Sequence, residues 1–338
     1  MSTKIAINGF GRIGRIFFKQ VFSNPDYEIQ VINDPATPEM MAYLLKYDST
    51  LGTYDLADTI QHGDSSIEVG GRRIPVTHVM NADQERLPWG AHGVEVVVDC
   101  SGAYLSREKA QKHLDAGAEK VLISFPGGEG VPTIVYGVNS DILKPEDRII
   151  SAASCSTNGL APMVQALHQY APILSGTMTV VHGYTSTQML VDNAQRKNNL
   201  RRSRAAANNV IPTTAEAAVA VGLVIPELNG KLMGSAVRVP IPAGCFINFV
   251  AEIQIDDVTG AQINAAMKAA SSEVFGYTEE EYVSSDIVGM RYASLFDATQ
   301  TMVCRTSEHT FQVRCATWFD NESSFVSQMV RCLHLLAK

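Results

Sequence analysis

Three features of the 338-residue sequence predict an α/β fold: a doubly wound parallel sheet followed by an α+β unit with a largely antiparallel sheet. In the first half, short β-branched runs alternate with helix-period segments, as strand–helix–strand units do. In the second half, long strands follow one another through hairpin-like loops. The length also exceeds one ordinary domain, so two of about 150 residues each are expected.

Composition narrows the class. Hydrophobic residues make up 46% and charged residues 18%, as in soluble globular proteins. No apolar run approaches the ~18 residues of a membrane helix, and the N-terminus opens directly into a strand without a signal-peptide plan. Cys100, Cys155, Cys245, Cys304, Cys315 and Cys332 show no C-x-x-C spacing, which speaks against zinc and a disulfide framework and for a reducing cytoplasm. A net charge of −8 argues against nucleic acid as a partner, and nothing suggests a membrane.

The first strand, Lys4–Asn8, runs into Gly9-Phe-Gly11-Arg12-Ile13-Gly14. Ile13, Ile16, Phe17 and Val21 then recur at helical spacing until Asn24-Pro25. A second strand, Glu28–Asn33, ends at Asp34, 20 residues beyond Gly14. Strand, G-x-G-x-x-G, helix and acid at this spacing form the Rossmann dinucleotide fingerprint. Gly9, Gly11 and Gly14 permit the tight turn and let the pyrophosphate rest on the helix N-terminus. Asp34 suits the ribose hydroxyls and would repel a 2′-phosphate, so NAD is favoured over NADP. Further strands are expected at 94–99, 121–124 and 133–138, with a helix from Arg107 to Ala116. Ser124 falls at a strand's C-terminal end, where open α/β sheets bind ligands.

The stretch Ser151-Ala-Ala-Ser154-Cys155-Ser156-Thr-Asn-Gly159 lies between a strand ending at Ile149-Ile150 and a helix marked by Leu160, Met163, Val164 and Leu167. Cys155 thus sits at a helix N-terminus, where free N–H groups and the helix dipole lower a thiol's pKa. A small buried residue at a turn is the other reading; the polar neighbours argue against apolar burial.

The strand Gly176–His182 is apolar until it ends on a histidine. His182 is either a core residue or, if it approaches Cys155, the base that takes the thiol proton. A basic stretch follows, Arg196-Lys197 and Arg201-Arg202-Ser-Arg204, fit for an anion or a subunit contact. Arg238 interrupts the strand Ala236–Pro240, and a phosphate or carboxylate ligand or a salt bridge would each satisfy it. Strands at 245–255, 301–305 and 310–318, a helix at 261–271 and an amphipathic C-terminal helix complete the pattern.

Together these motifs resemble the phosphorylating glyceraldehyde-3-phosphate dehydrogenases. The resemblance runs from Ile5 to the last helix. It is carried by Ile-Asn-Gly-Phe-Gly-Arg-Ile-Gly-Arg at 7–15, Ile-Asn-Asp at 32–34, Lys-Tyr-Asp-Ser-Thr at 46–50 and Ser-Cys-Ser-Thr-Asn at 154–158. Further carriers are Val-Ile-Pro-Glu-Leu-Asn-Gly-Lys-Leu at 224–232, Arg-Val-Pro at 238–240 and Trp-Phe-Asp-Asn-Glu at 318–322. It implies an NAD domain at 1–153, a catalytic domain at 154–318, a C-terminal helix at 319–338 packing back on the NAD domain, and a homotetramer. It further implies Cys155 as nucleophile and His182 as base, with Arg12, Ile13, Asp34, Ser124 and Asn321 holding NAD. Thr185, Arg202 and Arg238 would bind the phosphate of glyceraldehyde 3-phosphate, and Ser154 and Ser156 would help receive inorganic phosphate.

The sequence departs from the family pattern in places. Ala215-Glu216 stands where Thr-Gly is usual among the inorganic-phosphate residues, and a carboxylate there is expected to weaken phosphorolysis. Gly159 replaces a second cysteine, Phe325 a tyrosine, and Ala82 a basic residue near the adenine. Stretches at 87–89, 106–108 and 135–138 also resemble erythrose-4-phosphate dehydrogenase, whereas 182–188 follows the glyceraldehyde enzyme. An additional surface role as adhesin or immune modulator, known for some relatives, has no signal in this sequence.

Overall fold

A computed structural model describes residues 2–195 and 198–338. Met1 lies outside the described residues, as do Arg196 and Lys197 of the predicted basic stretch. The chain forms two compact units.

The first comprises the chain up to Tyr136, Ser140–Ala153 and Val326–Lys338. Its eight-stranded sheet runs Ile149–Ser151, Lys120–Ile123, Val96–Asp99, Thr3–Asn8, Tyr27–Asn33, Arg72–Thr77, Ser66–Val69, Gln61–Gly63. The first six are mutually parallel and the last two turn back antiparallel. Ile5, Ile7, Val97, Val98 and Val121–Ile123 are fully buried, as a parallel sheet covered on both faces requires. The residues expected as a strand at 133–138 do not form one. Only Thr133 bridges to Ser151; Pro132 has no N–H to extend the ladder, and its neighbour Ile149–Ser151 is three residues long. The last helix, Ser323–Ala337, covers the predicted apolar positions from Phe325 on and starts later than the 319–338 that the resemblance implies, because the preceding strand continues to Phe319. Within this unit Ser327 Oγ donates to Gln20 Oε1 (3.1 Å) and Lys120 Nζ to the Leu336 carbonyl (2.5 Å).

The second unit comprises Ser154–Phe325 with Gly137–Asn139. Its main sheet runs Ile211–Thr214, Leu232–Val239, Ile173–Gly183, Cys245–Gln254, Thr310–Phe319, Ser294–Asp297, Phe275–Thr278, with Met302–Arg305 also paired to Thr310–Phe319. Pairing is antiparallel except in two places: Ile173–Gly183 beside Leu232–Val239, and Phe275–Thr278 beside Ser294–Asp297. The first exception places His182 opposite Arg238. In the neighbouring ladders Val181 pairs with Phe246 and Cys245 with Phe319. His182, Arg238, Cys245 and Phe319 therefore lie together at one end of four neighbouring strands.

The helix Cys155–Tyr170 lies on this sheet, and Gly159 sets its distance. A Cβ at that position would stand 2.8 Å from the Phe319 ring, so a side chain there needs the ring to move. Phe319 in turn meets the His182 ring edge-on, centroids 6.1 Å apart. Glycine at 159 thus allows the helix that begins at Cys155 to close on the packing partner of His182.

Candidate active site

Ser151 ends its strand, and Ala153 takes a left-handed φ of 61°, rare for a residue with a side chain. Ser154 then caps the helix: its Oγ accepts from Thr157 N (3.2 Å) and lies 2.7 Å from Thr157 Oγ1. The turn presents Cys155 at the first helical position, with Ser156 Oγ 3.9 Å from its sulfur.

The Cys155 sulfur lies 3.5 Å from His182 Nε2. On the other side of the ring, His182 Nδ1 is 2.7 Å from the Gly183 carbonyl oxygen and 2.8 Å from Arg238 Nη1. Arg238 Nη1 also donates to that carbonyl (2.8 Å). Burial, reinforced by the Arg238 charge, pushes the imidazole down to about 3. Burial also raises the Cys155 thiol, against the opposing pull of Arg238 and Ser156. The expectation that the helix N-terminus lowers this thiol's pKa is corrected: burial raises it despite the backbone N–H groups of Cys155 and Ser156 at the helix start.

A second arginine, Arg202, acts electrostatically on His182 and Arg238. Arg202 donates to Thr187 Oγ1 (3.0 Å) and Thr213 Oγ1 (3.5 Å), and Thr185 Oγ1 is 3.0 Å from Thr187 Oγ1. The charges of Arg202 and Arg238 act on each other. The Nε atoms of both are buried without a partner, and among the described residues neither arginine pairs with a carboxylate. Two cations held together unpaired call for an anion. Thr187 and Thr213 were missed as site residues; the only signal was their place beside Thr185 and in the strand facing Arg238.

In the first unit the glycine turn has the form a dinucleotide needs. Gly9 has φ 92°, and a Cβ on it would meet the Ser101 backbone at 2.7 Å; one on Gly14 would stand 2.1 Å from the Gly9 carbonyl. At Gly11, which caps the helix Arg12–Val21, a Cβ would enter open space, the cradle that a pyrophosphate fills. Asp34 braces the turn, accepting from Phe10 N (2.6 Å) and Ala36 N (2.9 Å). Each oxygen retains lone-pair capacity for a ribose hydroxyl. Arg12 pairs with Asp48 at 2.5 Å, and Ile13 follows half-buried. Ser124 is buried, its side chain against the Cys100 thiol.

Family models match both parts of the chain: the glyceraldehyde 3-phosphate dehydrogenase NAD binding domain over residues 3–107, and the C-terminal domain over 154–321. The chain belongs to the glyceraldehyde-3-phosphate dehydrogenase family. It is 48% identical to the glyceraldehyde-3-phosphate dehydrogenase of Streptococcus pyogenes serotype M1 over 339 aligned residues, 100% of this chain and 99% of the relative. Identity is 47% with the enzyme of Lactobacillus delbrueckii subsp. bulgaricus (98% of each chain) and 45% with that of Clostridium pasteurianum (99% of each). Membership makes NAD the cofactor and the chain an NAD-dependent oxidoreductase. No helix among the described residues is long and apolar enough to cross a membrane.

Family membership also frames the residues that stand apart from the cluster. Ala215 and Glu216 lead into the helix Ala217–Val224. Glu216 is exposed, makes no capping bond, and forms no hydrogen bond or ion pair with Cys155, His182, Arg202 or Arg238. Asn321 follows the strand Thr310–Phe319 and is buried, its Oδ1 accepting from the Cys245 thiol at 3.4 Å.

Proposed function

We propose that this chain oxidises D-glyceraldehyde 3-phosphate to 1,3-bisphosphoglycerate through a thioester on Cys155, with NAD as oxidant and inorganic phosphate as acyl acceptor. The observation that carries this reading is the 3.5 Å approach of Cys155 to His182 beside an unpaired pair of arginines.

The chemistry follows from the side chains. As base, His182 needs Nε2 free, with its other proton on Nδ1 and donated to the Gly183 carbonyl; Arg238 Nη1 then donates to that same carbonyl and not to Nδ1. Nε2 then takes the Cys155 proton, and the thiolate adds to the aldehyde carbon to form a hemithioacetal. Free backbone N–H groups at the helix N-terminus would stabilise the oxygen where charge develops. Arg238, Arg202 and Thr185 hold the substrate phosphate; its charge offsets the cations that depress His182 and raises the imidazole's basicity. His182 next takes the hydroxyl proton as the carbon gives up its hydride. On this reading Gly9, Gly11, Arg12, Ile13, Gly14, Asp34 and Ser124 would hold NAD, with Asn321 as the ligand of its nicotinamide, and NAD would supply the hydride acceptor. Phosphate oxygen, received with help from Ser154 and Ser156, attacks the thioester; the C–S bond breaks and the thiolate returns. A thioester suits this step because it retains the energy an acyl phosphate requires.

The reading also includes a homotetramer working in the cytoplasm, on the strength of the family. The test is initial NADH formation from glyceraldehyde 3-phosphate and NAD, with and without phosphate, against Cys155→Ser. A phosphate-dependent rate that vanishes in the variant is expected. One burst per active site with no further effect of phosphate would contradict phosphorolysis, and a faster rate on erythrose 4-phosphate would reassign the substrate.

A further inference from the structure

Cys245 opens the strand Cys245–Gln254 and is fully buried. Its two neighbouring strands deliver functional groups at the same level: Ile173–Gly183 ends on His182-Gly183, and Thr310–Phe319 leads to Asn321. The thiol joins them. Gly183 N donates to the sulfur (3.4 Å), and the sulfur donates to Asn321 Oδ1 (3.4 Å). Burial keeps the proton on the thiol.

The direction of these bonds has a consequence. Because Gly183 N–H already donates to the sulfur, the S–H proton remains for Asn321 and fixes Oδ1 as the atom facing Cys245. Nδ2 is then the outward end of the carboxamide, and among the described residues no protein group accepts from it. A reversed amide would point a second N–H at the same weakly accepting sulfur and lose the thiol's acceptor.

We propose that Cys245 is a positioning residue for cofactor binding: it locks the Asn321 carboxamide so that Nδ2 donates to the carboxamide oxygen of nicotinamide. This rests on the reading of Asn321 as a nicotinamide ligand. The thiol gives the amide its direction, and Asn321 makes the contact.

The test compares Cys245→Val, which keeps bulk but removes the donor, with Cys245→Ser, which keeps a donor and an acceptor. NAD and ADP-ribose, which lacks the nicotinamide, are titrated calorimetrically into each protein. Cys245→Val should weaken NAD about 5- to 20-fold, the worth of one buried hydrogen bond, and leave ADP-ribose within about 2-fold. Cys245→Ser should restore most of the difference. Cofactor-free acylation of Cys155 by p-nitrophenyl acetate should stay within about 2-fold in both, showing that the Cys155–His182 pair is intact. Equal losses for NAD and ADP-ribose, or a serine variant no better than valine, would overturn the proposal. Asn321→Ala separates the two levels. Loss of NAD preference in Asn321→Ala with none in Cys245→Val removes the thiol's role alone. Unchanged binding in both removes the nicotinamide contact and the proposal with it.

Discussion

Two histidines are buried among the described residues, His113 in the first unit and His182 in the second, and burial pushes both imidazoles down to about 3. Their partners divide them. Trp89 Nε1 donates to His113 Nδ1 at 3.0 Å, and the Tyr104 ring packs against it at a tilt, centroids 4.4 Å apart. His113 Nε2 therefore carries the proton, and among the described residues it meets no acceptor. His182 has a thiol on one ring nitrogen and a guanidinium and a carbonyl on the other. A displaced pKa reports burial; chemistry needs a nucleophile and a place for charge beside the ring.

The largest test of this division is on turnover. His182→Asn removes the base and should lower kcat about 10²- to 10⁴-fold. His113→Phe should leave kcat within about 3-fold while costing about 1–3 kcal/mol of stability, because the Trp89 N–H loses its acceptor. Steady-state kinetics and urea unfolding on both variants read the two effects separately. A comparable loss of turnover in both would erase the division.

Arg238 provides the next. Its guanidinium touches His182 and has no counterpart at His113. Arg238→Leu should raise the KM for glyceraldehyde 3-phosphate about 10- to 100-fold, as loss of a charge-assisted phosphate contact implies. The KM for unphosphorylated glyceraldehyde should change little. An equal change for both aldehydes would make Arg238 a structural partner of the strand end.

The sequence displays these two histidines very unequally, and the reason is physical. His182 stands out because an apolar strand ends on it, and strand ends are where open sheets place side chains for chemistry. His113 lies in a helix of mixed composition, Arg107–Asp115, and its burial depends on Trp89 and Tyr104, brought to it by tertiary folding. The glycine turn, the nucleophile's turn and most strands are local patterns and were legible. The strand expected at 133–138 failed because pairing depends on a neighbour's length and on Pro132, which composition does not weigh. The thiol's pKa direction failed for a similar reason. The helix N-terminus is written in the sequence; the burial that outweighs it is not.

Acid stability separates the histidines more finely. Each folded pKa, about 3, lies below the ordinary 6.5 of the unfolded chain. Between those values the unfolded chain binds more protons, so stability is full above about pH 6.5 and falls as the pH drops, by up to ~1.4 kcal/mol per pH unit for each histidine. His113→Gln should remove one share of that slope, read as the difference between urea midpoints at pH 7 and pH 5. Inorganic phosphate, seated on Arg202 and Arg238, should flatten the His182 share while leaving the His113 share intact. Phosphate that flattens neither would mean that it does not reach the arginines.

The smallest effect concerns Glu216, a charge on neither histidine. It is exposed and, among the described residues, its side chain has no partner at the start of Ala217–Val224, so water and salt screen it from any phosphate nearby. Repulsion of inorganic phosphate is then weak, and Glu216→Gly should lower the phosphate KM by no more than about 5-fold at low ionic strength. The gain should vanish in ~0.5 M KCl, where the screening length falls below about 5 Å. Glu216→Gln distinguishes charge from backbone, since it removes the carboxylate and keeps the side chain. The acylation half-reaction, set by His182, should keep its pH profile in both variants. An unchanged phosphate KM in both would show that Glu216 lies too far from the acyl-transfer step to act on it.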